Sequence, residues 1–304
     1  QKPSSRWWMS CTGFSAPLTA GPDLQSLTKE NNRMSKRVLL ITDMAGQTKV
    51  AMTAMMPVLS EMGYNLFNLP TAIVSNNFAY GDYALLDTTD YIRDAIRVWQ
   101  KHNFTFDAVA TGIVISHEQL SIVKDFCKRL HDRGVVVFSD PIMADDGALY
   151  NGISDSIVEY MRDLIGISDY IVPNYTELCY LAGIEYTAAS LSQQQIYAQI
   201  DKLREYTKAS IVVTSAHVEG RKQVCCYDAR KKEYFSVAYD EVPVSFSGTG
   251  DIFCAVFMGH ILKGDSLKEI LSCATRSVQA MVLRYRDQED KLEGLPVESC
   301  LDLI

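Results

Sequence analysis

Arg37-Val-Leu-Leu-Ile-Thr42 is an unbroken apolar run closed by polar Asp43, a pattern that predicts a strand buried on both faces. From Val50 to Met62 apolar residues recur at helical spacing, and Gly63 stands where such a helix would stop. The two periods then alternate. Strands are predicted at 64–69, around 106–115, and at 135–138, 169–172 and 210–213; helices are predicted at 89–101, 117–133, 154–165, 175–183 and 192–206. Segments 222–227 and 233–239 flank a polar Asp-Ala-Arg-Lys-Lys turn and read as an antiparallel hairpin, and helices at 249–262 and 267–285 end the chain. Parallel strands joined by crossover helices satisfy this order most economically: a three-layer α/β/α body around a central, mostly parallel sheet. Ligands of such folds sit beyond the carboxyl ends of the strands, so polar residues just after strands are the first candidates for chemistry.

Composition narrows the partners. With 47% of its 304 residues hydrophobic, the chain can bury a large core, and no linker-like stretch divides it after Arg37, so 34–304 is expected to be one domain. Residues 1–33 lack sustained periodicity and an unbroken apolar segment; Met34-Ser35-Lys36 reads like a start, which makes 1–33 an N-terminal extension or an added leader. The net charge of −8 disfavours nucleic acid as a partner. No run approaches the roughly 18 apolar residues of a membrane span. The eight cysteines show no C-x-x-C spacing, and only Cys225 and Cys226 are adjacent, which suits reduced thiols in the cytoplasm.

Four motifs carry candidate chemistry. In Phe246-Ser-Gly-Thr-Gly-Asp251, Gly248 and Gly250 allow backbone N–H groups around Thr249 to approach an anion at the start of a helix, and Asp251 lies in the first turn, where the positive helix end should keep it ionised as a proton acceptor. The same spacing fits a plain helix cap. Asp140-Pro-Ile-Met-Ala-Asp145 follows a predicted strand and offers carboxylates to a hard cation, or forms a polar turn. Val172-Pro-Asn174-Tyr-Thr-Glu177 has the form of a capping box. Val212-Val-Thr214-Ser215 ends a further strand.

In this order the motifs resemble those of the ribokinase-like kinases, and of the pyridoxal/pyridoxamine kinases among them, across essentially the whole chain after Met34. The resemblance implies ATP-dependent phosphorylation of a B6 vitamer's hydroxymethyl group. Asp251 would be the base, and the Gly248 to Gly250 amides would form the anion hole. Asp140, Asp145 and Glu177 would organise Mg2+, and Asn174, Thr214, Ser215 and Thr249 would meet the nucleotide. It also implies a homodimer. Asp43, Asn76 and Tyr80 correspond to the substrate side, within Thr42-Asp43 and Val74-Ser-Asn-Asn-Phe-Ala-Tyr80. There the chain departs from its relatives: Asp43 stands where many have Ser, Asn77 where they have His, and Phe78 where they have Thr. A carboxylate at Asp43 suits a pyridine nitrogen, a phenolic hydroxyl or an amine, and suits a solvated strand end equally. Lys49 opens a helix against its dipole, which fits a ligand anion or plain solvation. Gly147 to Gly152 is expected to cover the nucleotide. The competing readings are a hydroxymethylpyrimidine kinase, a sugar kinase, and a non-catalytic binding homologue.

Overall fold

The first strand, β1 (Arg37–Ala45), shows why its sequence is apolar without alternation: Val38 and Leu40 face one core, Leu39 and Ile41 the other, and all four are fully buried. The computed structural model describes residues 35–304, so the expectation for 1–33 lies outside the described residues. Lys36–Ile304 form one compact unit. Helix α1 (Ala51–Glu61) follows, then β2 (Asn65–Val74), β3 (Leu85–Asp87), α2 (Thr89–Lys101), β4 (Ala108–Thr111), α3 (His117–His131) and β5 (Val136–Ser139). A small hairpin of β6 (Ala144–Asp145) and β7 (Ala148–Leu149) precedes α4 (Ser156–Ile165), β8 (Tyr170–Ile171), α5 (Tyr175–Ala182) and α6 (Gln193–Leu203). The chain continues with β9 (Ser210–Val218), β10 (Arg221–Asp228), β11 (Glu233–Tyr239), α7 (Thr249–Lys263) and α8 (Leu267–Tyr285).

The main sheet has the order β11-β10-β9-β8-β5-β4-β1-β2-β3. Strands β9, β8, β5, β4, β1 and β2 run parallel, with antiparallel β3 at one edge and β10 and β11 at the other. Helices α2 to α6 cover one face and α1, α7 and α8 the other, each over its own apolar cluster. The ribokinase-like three-layer expectation describes this arrangement. In the hairpin that was anticipated, Asp228 Oδ1 accepts from the amides of Arg230 (2.9 Å) and Lys231 (3.1 Å), which closes the turn between β10 and β11.

Two departures from the sequence reading bear on the site. Strand β2 extends past the expected end at Leu69, through Pro70 to Val74. Pro70 has no N–H for the ladder, and the pairing with β1 slips between Thr42 and Met44, placing Asp43 at a bulge. Strand β3 was not anticipated, since three exposed residues carry no periodicity. From β1 the chain moves outward to β2 and later returns to β4 on the other side of β1, so the crevice beyond β1 and β4 is the topological switch point. Gly112, just past β4, sits so close to β1 that a Cβ there would lie 2.3 Å from Thr42 Oγ1. No helix among the described residues is long and apolar enough to cross a membrane.

Candidate active site

Helix α7 begins at the switch-point crevice, and its two glycines differ in what they demand. Gly248, the N-cap, has φ +83°, and a Cβ on it would lie 2.1 Å from the Lys49 carbonyl oxygen. Packing alone therefore requires glycine there. A Cβ on Gly250 would meet nothing within 4 Å. Its exposed α-carbon leaves the first-turn amides open to the cleft, the arrangement an anion needs at a helix N-terminus.

Asp251 occupies the third position of α7 and lines the same cleft. Its carboxyl is held well above the usual carboxylate range, by burial first and then by the charge of Asp140; Asp43 adds to the effect, and the amides of Ala51 and Asp251 itself oppose it. This corrects the expectation that the helix terminus keeps Asp251 ionised. Removal from water and neighbouring carboxylates outweigh the dipole.

The acidic wall comes from three elements. Asp140 follows β5 and accepts a hydrogen bond from Cys254 Sγ (3.1 Å); burial raises its pKa to about 6. Asp145 ends β6, beside a turn in which Asp146 and Gly147 both have positive φ (47° and 83°), as a two-residue hairpin requires. Asn174 caps α5: its Oδ1 accepts from the Glu177 amide (2.9 Å), and Glu177 Oε2 accepts from the Asn174 amide (2.8 Å). The pair also anchors the hairpin. Glu177 Oε1 accepts from the Met143 amide (3.1 Å), and Asn174 Nδ2 donates to the Ala144 carbonyl (2.7 Å). Glu177 is 3% exposed, and its carboxyl is pushed well above the ordinary range, by burial and then by Asp140.

The cleft, about 440 Å³, is lined by Asp43, Asp140, Asp145, Glu177 and Asp251 and, among the described residues, by no Lys, Arg or His. Five carboxylates without a cationic side chain make a site that favours bound cations. No three His, Cys, Asp or Glu among the described residues are placed to cage a metal directly. Carboxylates are the donor type that a hydrated Mg2+ takes, because Mg2+ keeps much of its water and is bound through one or two of them. A second cavity, about 210 Å³, shares Thr214, Ser215, Thr249 and Gly250 with the first and continues between Val242, Val244, Phe253 and Val282.

The phosphomethylpyrimidine kinase family profile matches residues 52–292. The chain belongs to that family. A crystal structure assigned as a phosphomethylpyrimidine kinase from Bacteroides thetaiotaomicron, in a form with pyridoxal, is 32% identical, covers 89% of this chain and 96% of that one, and superposes with a TM-score of 0.84. The pyridoxal kinase of Arabidopsis thaliana is 22% identical over 277 residues, 88% of either chain. The pyridoxal kinase structure from Lactobacillus plantarum shares the fold, with a TM-score of 0.78 at 23% identity over 88% of this chain and 95% of that one. These relatives place the protein among the pyridoxal kinases of the ribokinase-like superfamily.

In this kinase the fold brings Asp43, Asn76, Asp140, Asp145, Asn174, Glu177, Thr214, Ser215, Gly248, Thr249, Gly250 and Asp251 to one cleft. Tyr80 is not among the residues lining it. Its hydroxyl donates to Asp290 Oδ2 (2.5 Å) and the residue is 38% exposed, whereas Phe78, two residues before it, does line the cleft. Lys49 is paired with Glu298 and is not offered to a ligand anion. The apolar slot of Val242, Val244, Phe253 and Val282 had no sequence signal, because its residues are ordinary core-formers on separate elements. Tyr150 and Leu149, on the expected cover, also line the cleft.

Proposed function

We propose that this kinase transfers the γ-phosphoryl group of ATP to the hydroxymethyl oxygen of a B6 vitamer. The observation that carries the reading is the cleft in which a buried aspartate, the open first turn of α7 and a wall of acidic side chains converge. The kinase relatives and the pyridoxal held by the Bacteroides structure give the substrate class. In the step, the substrate oxygen forms a bond to the γ-phosphorus as the bond to the bridging oxygen of ADP breaks, and Asp251 receives the hydroxymethyl proton. The Gly248 to Gly250 amides stabilise charge on the equatorial oxygens, as a loose transition state requires. Asp140 and Asp145, with Glu177 behind them, are the groups to hold Mg2+ through water. Bound there, Mg2+ supplies the positive charge that offsets phosphate and carboxylates together and brings Asp251 back toward its ionised form. The adenosine moiety fits the apolar slot beside Thr214 and Ser215. The same reading carries a cytoplasmic homodimer, testable by light scattering and localisation.

Initial rates with ATP and Mg2+ on pyridoxal, pyridoxamine, pyridoxine, hydroxymethylpyrimidine and ribose test it, with Asp251→Asn as the control. Vitamer turnover that collapses in Asp251→Asn supports substrate and base. The family description favours one second reading, a hydroxymethylpyrimidine kinase, and turnover of that substrate alone would replace the first.

A further inference from the structure

We infer that Asn77 is a positioning residue: by tying the tip of the β2–β3 hairpin to the entry of α7, it fixes where a bound alcohol stands relative to the phosphate cradle. The inference rests on the kinase reading above and holds for whichever alcohol the protein phosphorylates. The tip, residues 75–84, closes on itself. The Ser75 amide donates to the Ala84 carbonyl (2.9 Å) and the Ala84 amide to Ser75 Oγ (2.9 Å), while Asn76 Nδ2 donates to the carbonyls of Asp82 (2.9 Å) and Asn77 (3.2 Å). These bonds give the tip its shape and leave its distance from α7 open. Strand β3 is the last of the sheet, so no strand beyond it sets that distance either.

Asn77 supplies the link. Its Nδ2 donates to Ser247 Oγ (2.7 Å) and to the Leu292 carbonyl (3.4 Å), its backbone amide donates to Thr48 Oγ1 (3.1 Å), and its Oδ1 accepts from the Ala79 amide (2.9 Å). Ser247 directly precedes Gly248, the N-cap of α7. One side chain therefore joins the turn that carries Phe78 and Ala79, both lining the cleft, to the turn that carries the anion-binding amides. Residues 290–294 back this joint without lining the cleft themselves. The Lys291 carbonyl accepts from the Ser247 amide (3.3 Å), the Glu293 carbonyl from the Lys49 amide (3.0 Å), and Asp290 Oδ2 from the Tyr80 hydroxyl (2.5 Å). At Gly294 a Cβ would lie 2.7 Å from the Lys49 carbonyl oxygen and 3.1 Å from that of Ser247, so the segment sits tightly against both turns.

Phosphoryl transfer leaves the protein mostly the work of alignment, and a misplacement of about 1 Å costs about a hundredfold in rate. Both ends of the Asn77 amide are engaged by the protein, so its effect on the reaction passes through position and not through a bond to the substrate. Two consequences follow from the geometry. Thr214, Ser215 and the apolar slot lie away from the joint, so breaking it should lower kcat and spare the KM for ATP. Removing Asn77 or Ser247 breaks the same link, so their effects on kcat should not multiply.

The test is a double-mutant cycle: kcat, both KM values and thermal unfolding for wild type, Asn77→Ala, Ser247→Ala and the double variant, on whichever of the five alcohols wild type phosphorylates. Each single substitution is expected to lower kcat by about tenfold or more with the KM for ATP within about twofold of wild type. The double variant should fall no more than about threefold below the weaker single, a coupling of about tenfold or 1.4 kcal/mol, and Ser247→Thr, which keeps the hydroxyl, should stay within about threefold of wild type. Effects that multiply in the double variant overturn the inference. So does a folded Asn77→Ala protein with kcat within about threefold of wild type, whatever its Tm, because a merely structural bond would lower stability alone. A loss confined to the KM for ATP overturns it as well. Turnover of the pyrimidine alone overturns the vitamer reading while the cycle is read on that substrate, and turnover of no alcohol overturns both.

Discussion

Replacing each glycine of the α7 turn by alanine separates what the fold needs from what a ligand needs. At Gly248 the new Cβ would lie 2.1 Å from the Lys49 carbonyl oxygen, at a φ of +83°. A non-glycine residue in the left-handed region costs about 1–3 kcal/mol before any clash. With the backbone overlap, Gly248→Ala should lose at least about 3 kcal/mol, a fall in Tm of roughly 6–12 °C at this size. Gly250 is inside the helix with open space at its Cβ position. Gly250→Ala should therefore gain about 0.5–1 kcal/mol, the difference in helical propensity. Its methyl group stands where a phosphoryl oxygen would approach the amides, and removing one such donor contact costs about 10²–10³ in rate. The expected result is a protein slightly more stable than wild type and at least about a hundredfold less active. Thermal unfolding and kcat/KM for the phosphorylated substrate, measured on the same preparations, decide it. Activity within about threefold of wild type in a folded Gly250→Ala protein would refute the role of this turn as the phosphate cradle.

Other substitutions probe the carboxylates. Asp251→Asn should lower kcat by about 10²–10⁴ and leave the KM for ATP nearly unchanged, and a large rise in that KM would mean the residue serves binding instead. Burial holds Asp140 at about 6 against an ordinary 3.8, so the stability this group contributes is present below pH 4 and lost as pH rises through about 6. In the metal-free protein Asp140→Asn should thus raise Tm near pH 8 and do so much less near pH 4.5; an equal effect at both would show that its charge is already compensated. Glu177→Gln keeps one acceptor and turns a donor toward an amide, where Glu177 now accepts from Met143 and Asn174. It should cost about 1–3 kcal/mol by chemical denaturation, and a neutral result would show that the capping pair does not anchor the hairpin.

Much of this was legible because the fold writes its site in local signals. Glycines and carboxylates right after strand patterns mark Asp140, Asn174 and Asp251, and a parallel sheet delivers all strand ends to one edge. The sequence could not distinguish the two glycines. Gly248 meets the Lys49 carbonyl across about two hundred residues of chain and Gly250 meets nothing, a difference that exists only after packing. The placement of Tyr80 outside the cleft was hidden for the same reason, since its partner Asp290 lies far along the chain. The sign of the Asp251 shift was misread because one carboxylate beside a helix terminus is favoured, whereas one buried beside Asp140 is not, and only the fold shows that Asp140 is there. Pro70 was a usable signal left unread: a proline inside a strand pattern implies a missing ladder bond and a bulge. That bulge is where Asp43 stands, at the cleft of the switch point. The proposed base and anion hole belong to α7 and the proposed substrate side to β1 and β2, so a substitution in the second group need not disturb the first.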